Sequence, residues 1–210
     1  MAYVIDTGLP IAAKGILVAD RWNQNDDLKS MAMEEGARMR ACSHQNIVKL
    51  YDHYEHGNKV WLFMEFCDQG DLNHYLGKNP NISLNEKLRI MYESTLAVSY
   101  LHNHDIVHRD IKPENILMKS GEVKAVVKLG DFGYAKIYDY TLSQPTFSAQ
   151  VNRTTAGTPA FWAPEFFLRR ENLRYTASVD IFSLGLIFAS VYNYGPTNKS
   201  TFPISGKAIF

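Results

Sequence analysis

The apolar residues of this chain change period partway along it, and that change limits the folds open to it. Residues 46–66, NIVKLYDHYEHGNKVWLFMEF, read as two strands around the turn EHGN, the second being the apolar run 60–66. Upstream, AYVI and IAAKGILV read as two short strands joined by the turn DTGLP. Residues 26–42 read as a helix in which Gly36 costs about 1 kcal/mol relative to alanine. From Ser83 onward helical spacing takes over. SLNEKLRIMYESTLAVSYLH opens with a capping box, Ser83 to Glu86, and sets Leu84, Leu88, Met91 and Val98 on one face. Residues 177–194 are apolar nearly all round, the pattern of a buried helix. Strands first and helices after make an α+β chain in two parts: a small β-rich one ending near Cys67, then a larger helical one.

Charge narrows the function. Twenty-two basic residues balance 22 acidic ones, which argues against a broad nucleic-acid or membrane surface. No window is long and apolar enough to span a bilayer, and MAYVIDTGLP lacks the regions of a signal peptide. Cys42 and Cys67 have neither pairing nor metal-ligand spacing and read as reduced, buried thiols, an intracellular pattern that fits cytoplasm or nucleus.

The chemistry concentrates in HRDIKPENIL, residues 108–117. Asp110 can accept a proton from an attacking hydroxyl. Lys112, two positions on, can neutralise charge on a transferring phosphoryl group. The amide oxygen of Asn115 is a hard ligand suited to Mg²⁺. A second such ligand, Asp131, stands in GDFG after the apolar strand 123–129, and a hairpin with 116–118 would bring the two together. Phosphoryl transfer needs that positioning and charge neutralisation more than it needs covalent chemistry.

HRDIKPENIL, DFG and APE (Ala163–Glu165) occur in that order, preceded by SHQNIVKLYDH and followed by SVDIFSLG. The chain thus resembles the eukaryotic protein kinase family from about residue 2 to about residue 195, and the lysine in HRDIKPEN resembles the serine/threonine type. FMEFCDQGDLNHYL and RTTAGTPAFWAPE look similar to the PDLIM1-interacting group, and KLGDFG to the NIMA-related group. The resemblance implies a bilobal fold, residues 1–67 forming a partial N-lobe and 68–210 a partial C-lobe. It implies ATP and Mg²⁺ as cofactors and serine or threonine hydroxyls of proteins as substrates, with no nucleic-acid partner and no membrane segment.

By position, Asp110 becomes the base that orients the hydroxyl, Lys112 a γ-phosphate contact, and Asn115 and Asp131 the metal ligands. Lys14 becomes the ATP-contacting lysine, with Glu35 as its helix partner and Glu34 the alternative. Met64 guards the adenine pocket, the backbone of Glu65 and Cys67 bonds adenine, Asp71 reaches the ribose, and Ala12 and Leu117 sandwich the base. Thr154, with Thr155 as competitor, resembles a regulatory phosphosite whose phosphate would pair with Arg109. Thr158 resembles the threonine that bonds the base and lysine. Asp180 would brace the backbone at His108 and Arg109, and His108 would join a column with Leu50, Met39 and Phe132.

Each residue also has a plainer reading. Lys14 beside Gly15 reads equally as a solvated strand lysine, Thr154 as an unmodified loop residue, and His102 and His104 as structural or exposed. Residues 138–156 read as a mobile loop. The family's Gly-rich phosphate loop would lie just before Ala2, and its later helices beyond residue 195. The chain reads as a kinase domain clipped at both ends, expected to be weakly active or inactive by itself. The competing function is a kinase-like binding or regulatory fragment without turnover.

Overall fold

The computed structural model describes residues 2–3, 8, 10–18, 26–133, 135–137, 159–167 and 176–195. Strands β1 (Ala2–Tyr3), β2 (Pro10–Leu17), β3 (Leu50–His56) and β4 (Lys59–Glu65) form one antiparallel sheet in the order β1-β2-β4-β3. The β3–β4 hairpin closes at Gly57-Asn58, and Gly57 takes φ +63°, a left-handed conformation that glycine adopts without a Cβ penalty. Register sets Ala12 opposite Met64 and Lys14 opposite Leu62. The odd glycine in β2 has a packing cause, since a Cβ on Gly15 would stand 3.0 Å from the Trp61 ring.

Helix α1 (Asp26–Ala41) lies against β3. Gly36, a weak point by propensity, is where helix meets sheet: a Cβ there would lie 2.4 Å from Cδ2 of His53. One continuous core joins α1 and the sheet to the helical part through Met39, Ile47, Leu62, Ile116, Met118 and Phe132, all fully buried. Burying side chains of this size is worth about 1.5–3 kcal/mol each.

Helix α2 (Leu72–Lys78) starts at Asp71, whose carboxylate accepts the His74 N–H. Helix α3 (Leu84–His102) starts at Ser83, whose hydroxyl accepts the Glu86 N–H. The expected box is half made, because the Glu86 carboxylate turns to Arg89 and to the Tyr75 hydroxyl. The buried face of α3 also differs from the expected one. It comprises Ile90, Ser94, Ala97, Val98 and Leu101, while Leu84 and Leu88 are 53% and 47% exposed. The stripe is rotated by roughly a quarter-turn at 3.6 residues per turn. Helix α4 (Ser178–Asn193) is likewise buried on one side only. Val179, Leu184, Ile187 and Val191 face inward, and Ile181, Phe182 and Tyr192 are exposed among the described residues.

Strands β6 (Ile116–Lys119) and β7 (Val126–Leu129) form a hairpin, and β5 (Ile106–Val107) pairs with β8 (Lys136–Ile137). The expected loop 138–156 lies outside the described residues. Among those described, no helix is long and apolar enough to cross a membrane.

Candidate active site

The hairpin β6–β7 ends at Gly130, and both backbone groups of that residue are committed. Its N–H donates to the Asn115 carbonyl at 2.9 Å, and its carbonyl lies 3.0 Å from Nε2 of His108. The Asp110 amide meets Nδ1 of the same imidazole at 3.3 Å. Nδ1 therefore accepts and Nε2 carries the proton, the neutral tautomer that satisfies both contacts. The fully buried His108 thus ties residues 108–110 to Gly130, the residue before Asp131, and its ring meets Phe132 edge-on at 5.4 Å. Met39 and Leu50 belong to the same core.

Residues 108–115 are held in an unusual backbone shape. Arg109 and Asp131 take φ values of +65° and +61°, which cost non-glycine residues of order 1–3 kcal/mol each unless the surroundings enforce them. Asp180, buried on α4, enforces the first. Its Oδ1 accepts the Arg109 N–H and its Oδ2 the His108 N–H, both at 2.8 Å, while His102 Nε2 lies 2.8 Å from Oδ2. His104 is exposed and stacks on Tyr100.

Inside this frame Asp110 is buried, with Oδ2 accepting from Lys112 Nζ at 2.7 Å and from Asn115 Nδ2 at 3.0 Å. Asn115 Nδ2 also donates to the Asp110 carbonyl. With the amide nitrogen so engaged, Oδ1 of Asn115 is turned away from Asp110. Together with the Asp131 carboxylate it offers the hard-oxygen donors that Mg²⁺ prefers, so this pair fits the ion. Among the described residues no cluster of three or more His, Cys, Asp or Glu side chains forms a protein-only cage.

Lys14 reaches the same place from β2. Its Nζ sits 2.9 Å from Glu35 Oε1 and 2.8 Å from Asp131 Oδ1. The alternative partner, Glu34, faces outward and pairs with Arg38. Burial lowers the Lys14 pKa, but its two carboxylates outweigh burial and raise it. Burial likewise opposes the Asp131 carboxylate, and the nearby ammonium overrides it and holds the group below the ordinary range. Glu35 behaves differently. Its side chain is 4% exposed against 40% for Asp131, and burial pushes its carboxyl up despite Lys14. The two shifts run in opposite directions although both groups share the ammonium: the Asp131 charge adds to the rise at Glu35, whereas His108 and the Gly133 N–H add to the fall at Asp131.

The remaining expected residues line one edge. Ala12 faces Met64 across β2–β4, and Leu117 makes an isolated bridge with Asp71. The Glu65 amide donates to the Lys49 carbonyl, and the Cys67 carbonyl accepts the Gly70 N–H. Asp71 is a helix cap, a role that GDLNHYL signals by an acid before an apolar helix. Thr154, Thr155 and Thr158 lie outside the described residues. Sequence reasoning missed the Glu65 side chain, buried and paired with Lys119 and Lys128. Both thiols are free, Cys42 buried and Cys67 partly so. A cavity of about 760 Å³ lined by Tyr75, Asn79, Ile82, Ser83 and Lys124 lies apart from all these residues.

Comparison with known proteins gives the family. A family profile described as "Protein kinase domain" matches residues 1–203. The chain is similar to the ovarian-specific serine/threonine-protein kinase Lok of Drosophila melanogaster, 31% identical over 85% of this chain and 36% of that protein. It is similar to the serine/threonine-protein kinase atg1 of Dictyostelium discoideum, 32% identical over 88% of this chain and 26% of that protein. It is also similar to a putative serine/threonine-protein kinase A of Trypanosoma brucei brucei, 32% identical over 90% of this chain and 43% of that protein. The chain therefore spans less than half the length of these relatives.

Proposed function

We propose that this chain, which belongs to the protein kinase family, transfers the ATP γ-phosphate to serine or threonine hydroxyls of proteins. The observation that carries the reading is the meeting of Lys14, Glu35 and Asp131 at one ammonium. Sheet, helix α1 and the segment after β7 contribute one group each, beside the loop that carries Asp110. The division at Cys67, with residues 1–67 and 68–210 as the two lobes, belongs to the same proposal.

In this reading Lys14 neutralises phosphate charge, and Glu35 holds its Nζ in place. Adenine lies between Ala12 and Leu117, against Met64 and the backbone of Glu65 and Cys67, with Asp71 near the ribose. The substrate hydroxyl attacks the γ-phosphorus, the bond to the β-phosphate oxygen breaks, and ADP departs. The hydroxyl proton passes to Asp110 at Oδ1, the oxygen that Lys112 and Asn115 do not engage. Such positioned bases contribute about 10²–10⁴ in rate. Lys112, held against Asp110, would stabilise charge on the transferring group. Mg²⁺ held by Asn115 and Asp131 would supply charge neutralisation on the phosphates. A phosphate on Thr154 would pair with Arg109, and Thr158 would bond Asp110 and Lys112. Cytoplasm or nucleus is the compartment this chemistry fits.

The test is phosphate incorporation from labelled ATP into a protein substrate, wild type against Asp110→Ala. Incorporation lost in the variant supports the proposal. Stabilisation by Mg²⁺ and ATP without incorporation would replace it with a nucleotide-binding module that does not turn over.

A further inference from the structure

The Glu65 side chain has no part in the chemistry above. It is buried at the end of β4, and lysines from the β6–β7 hairpin hold both its oxygens. Lys119 Nζ lies 2.6 Å from Oε1 and Lys128 Nζ 2.9 Å from Oε2. The Lys49 N–H adds a third contact at 3.3 Å to Oε2. Three residues on, Asp68 accepts both the Ser120 N–H at 2.8 Å and the Ser120 hydroxyl at 2.5 Å. The backbone continues the pattern, with Gln69 N–H to the Met118 carbonyl and Met118 N–H to the Gly70 carbonyl. Residues 65–70 are thereby stitched to 118–120.

A plain connector would not bury a carboxylate. An ion group of this kind seldom gains stability over apolar residues of the same shape, but moving these segments apart would leave the buried Glu65 carboxylate unpaired. The geometry fixed here is local. Strand β6 carries Leu117 and, two residues on, Lys119. Strand β7 carries Lys128, three residues before Asp131.

We infer that Lys119, Lys128 and the Glu65 carboxylate are positioning residues that hold the edge 64–67 over Leu117, so that adenine meets a preformed slot. The inference rests on the reading of that edge as the adenine site. It assigns the lysines to nucleotide affinity and not to phosphoryl transfer.

The experiment replaces Lys119 and Lys128 by methionine, singly and together, in the full chain. Mg²⁺·ATP binding by calorimetry should weaken by about two- to thirtyfold, the range expected of residues that act through others. The turnover rate at saturating ATP should stay within about twofold, and arginine at both positions should restore affinity. Amide exchange at Cys67–Gly70 should quicken while core amides of α3 keep their protection. Unchanged affinity with unchanged exchange overturns the inference, as does a fall in turnover rate with KM for ATP unchanged. A wild-type chain that binds no nucleotide sinks the kinase reading instead, and exchange at 67–70 then decides the clamp. Should the double variant not fold, Lys119→Met, the more exposed site, gives the same readouts.

Discussion

Replacing Asp180 by alanine strips the support from under Arg109. Two backbone N–H groups lose a buried carboxylate, and His102 loses its partner. Hydrogen bonds to a charged acceptor are worth about 1.5–3 kcal/mol each, so the two amides together lose about 3–6 kcal/mol. The freed backbone can then leave φ +65°, which returns about 1–3 kcal/mol of stored strain. At the middle of the two ranges, about 4.5 kcal/mol is lost and about 2 returned, a net loss of about 2.5 kcal/mol. For a chain of this length, about 2–4 °C accompanies each kcal/mol, so the melting temperature should fall by about 5–10 °C. Denaturant unfolding should show a lower midpoint at unchanged slope, the sign of a stability change without altered compactness. Exchange at the His108 and Arg109 amides should quicken in the same variant. Asp180→Asn keeps one acceptor but turns an NH₂ toward the other donor, so it should fall between wild type and alanine. An alanine variant within about 0.5 kcal/mol of wild type, the scatter of ordinary surface changes, would refute the bracing of residues 108–109.

Gly36→Ala would raise helix propensity by about 1 kcal/mol, yet its Cβ would meet the His53 ring at 2.4 Å. Overpacking of that kind costs about 1–3 kcal/mol, so thermal unfolding should show a net loss, and His53→Ala in the same chain should reverse it. Burial pushes the thiols of Cys42 and Cys67 up to about 11 and about 12, so neither should alkylate at pH 8 in the folded chain, while both react in denaturant; rapid folded-state labelling counts against the packing around them. Burial works against the Asp68 carboxylate, but the Ser120 hydroxyl and amide and the Gln69 side chain prevail and hold it down to about 2. A depressed carboxyl gives its stabilisation above the ordinary value near 3.9 and loses it as pH falls, so NMR titration should keep the Ser120 amide shift constant above about pH 4 and move it as pH approaches 2.

Much of this architecture is legible in the residues because it depends on neighbours in sequence. The β3–β4 hairpin follows from alternation and one glycine turn, and the start of α3 from Ser83. The loop 108–117 advertises its chemistry because Asp110, Lys112 and Asn115 are close in sequence as well as in space. What escaped depends on distant partners. The inward face of α3 is chosen by what packs on it, so Leu84 and Leu88 point to solvent although they continue an apolar stripe. Gly36 looks like a flaw until His53, 17 positions on, is seen to need its space. Glu65 drew notice for its backbone, since its lysine partners lie 54 and 63 positions downstream.

Because Gly130 spends its amide on Asn115 and its carbonyl on His108, the chain is pinned one residue before Asp131. Any change of course in the segment beyond must swing from that pin. A shift of the chain after Gly130 would therefore move Asp131 and its contact with Lys14, while the bonds among Asp110, Lys112 and Asn115 stay in place.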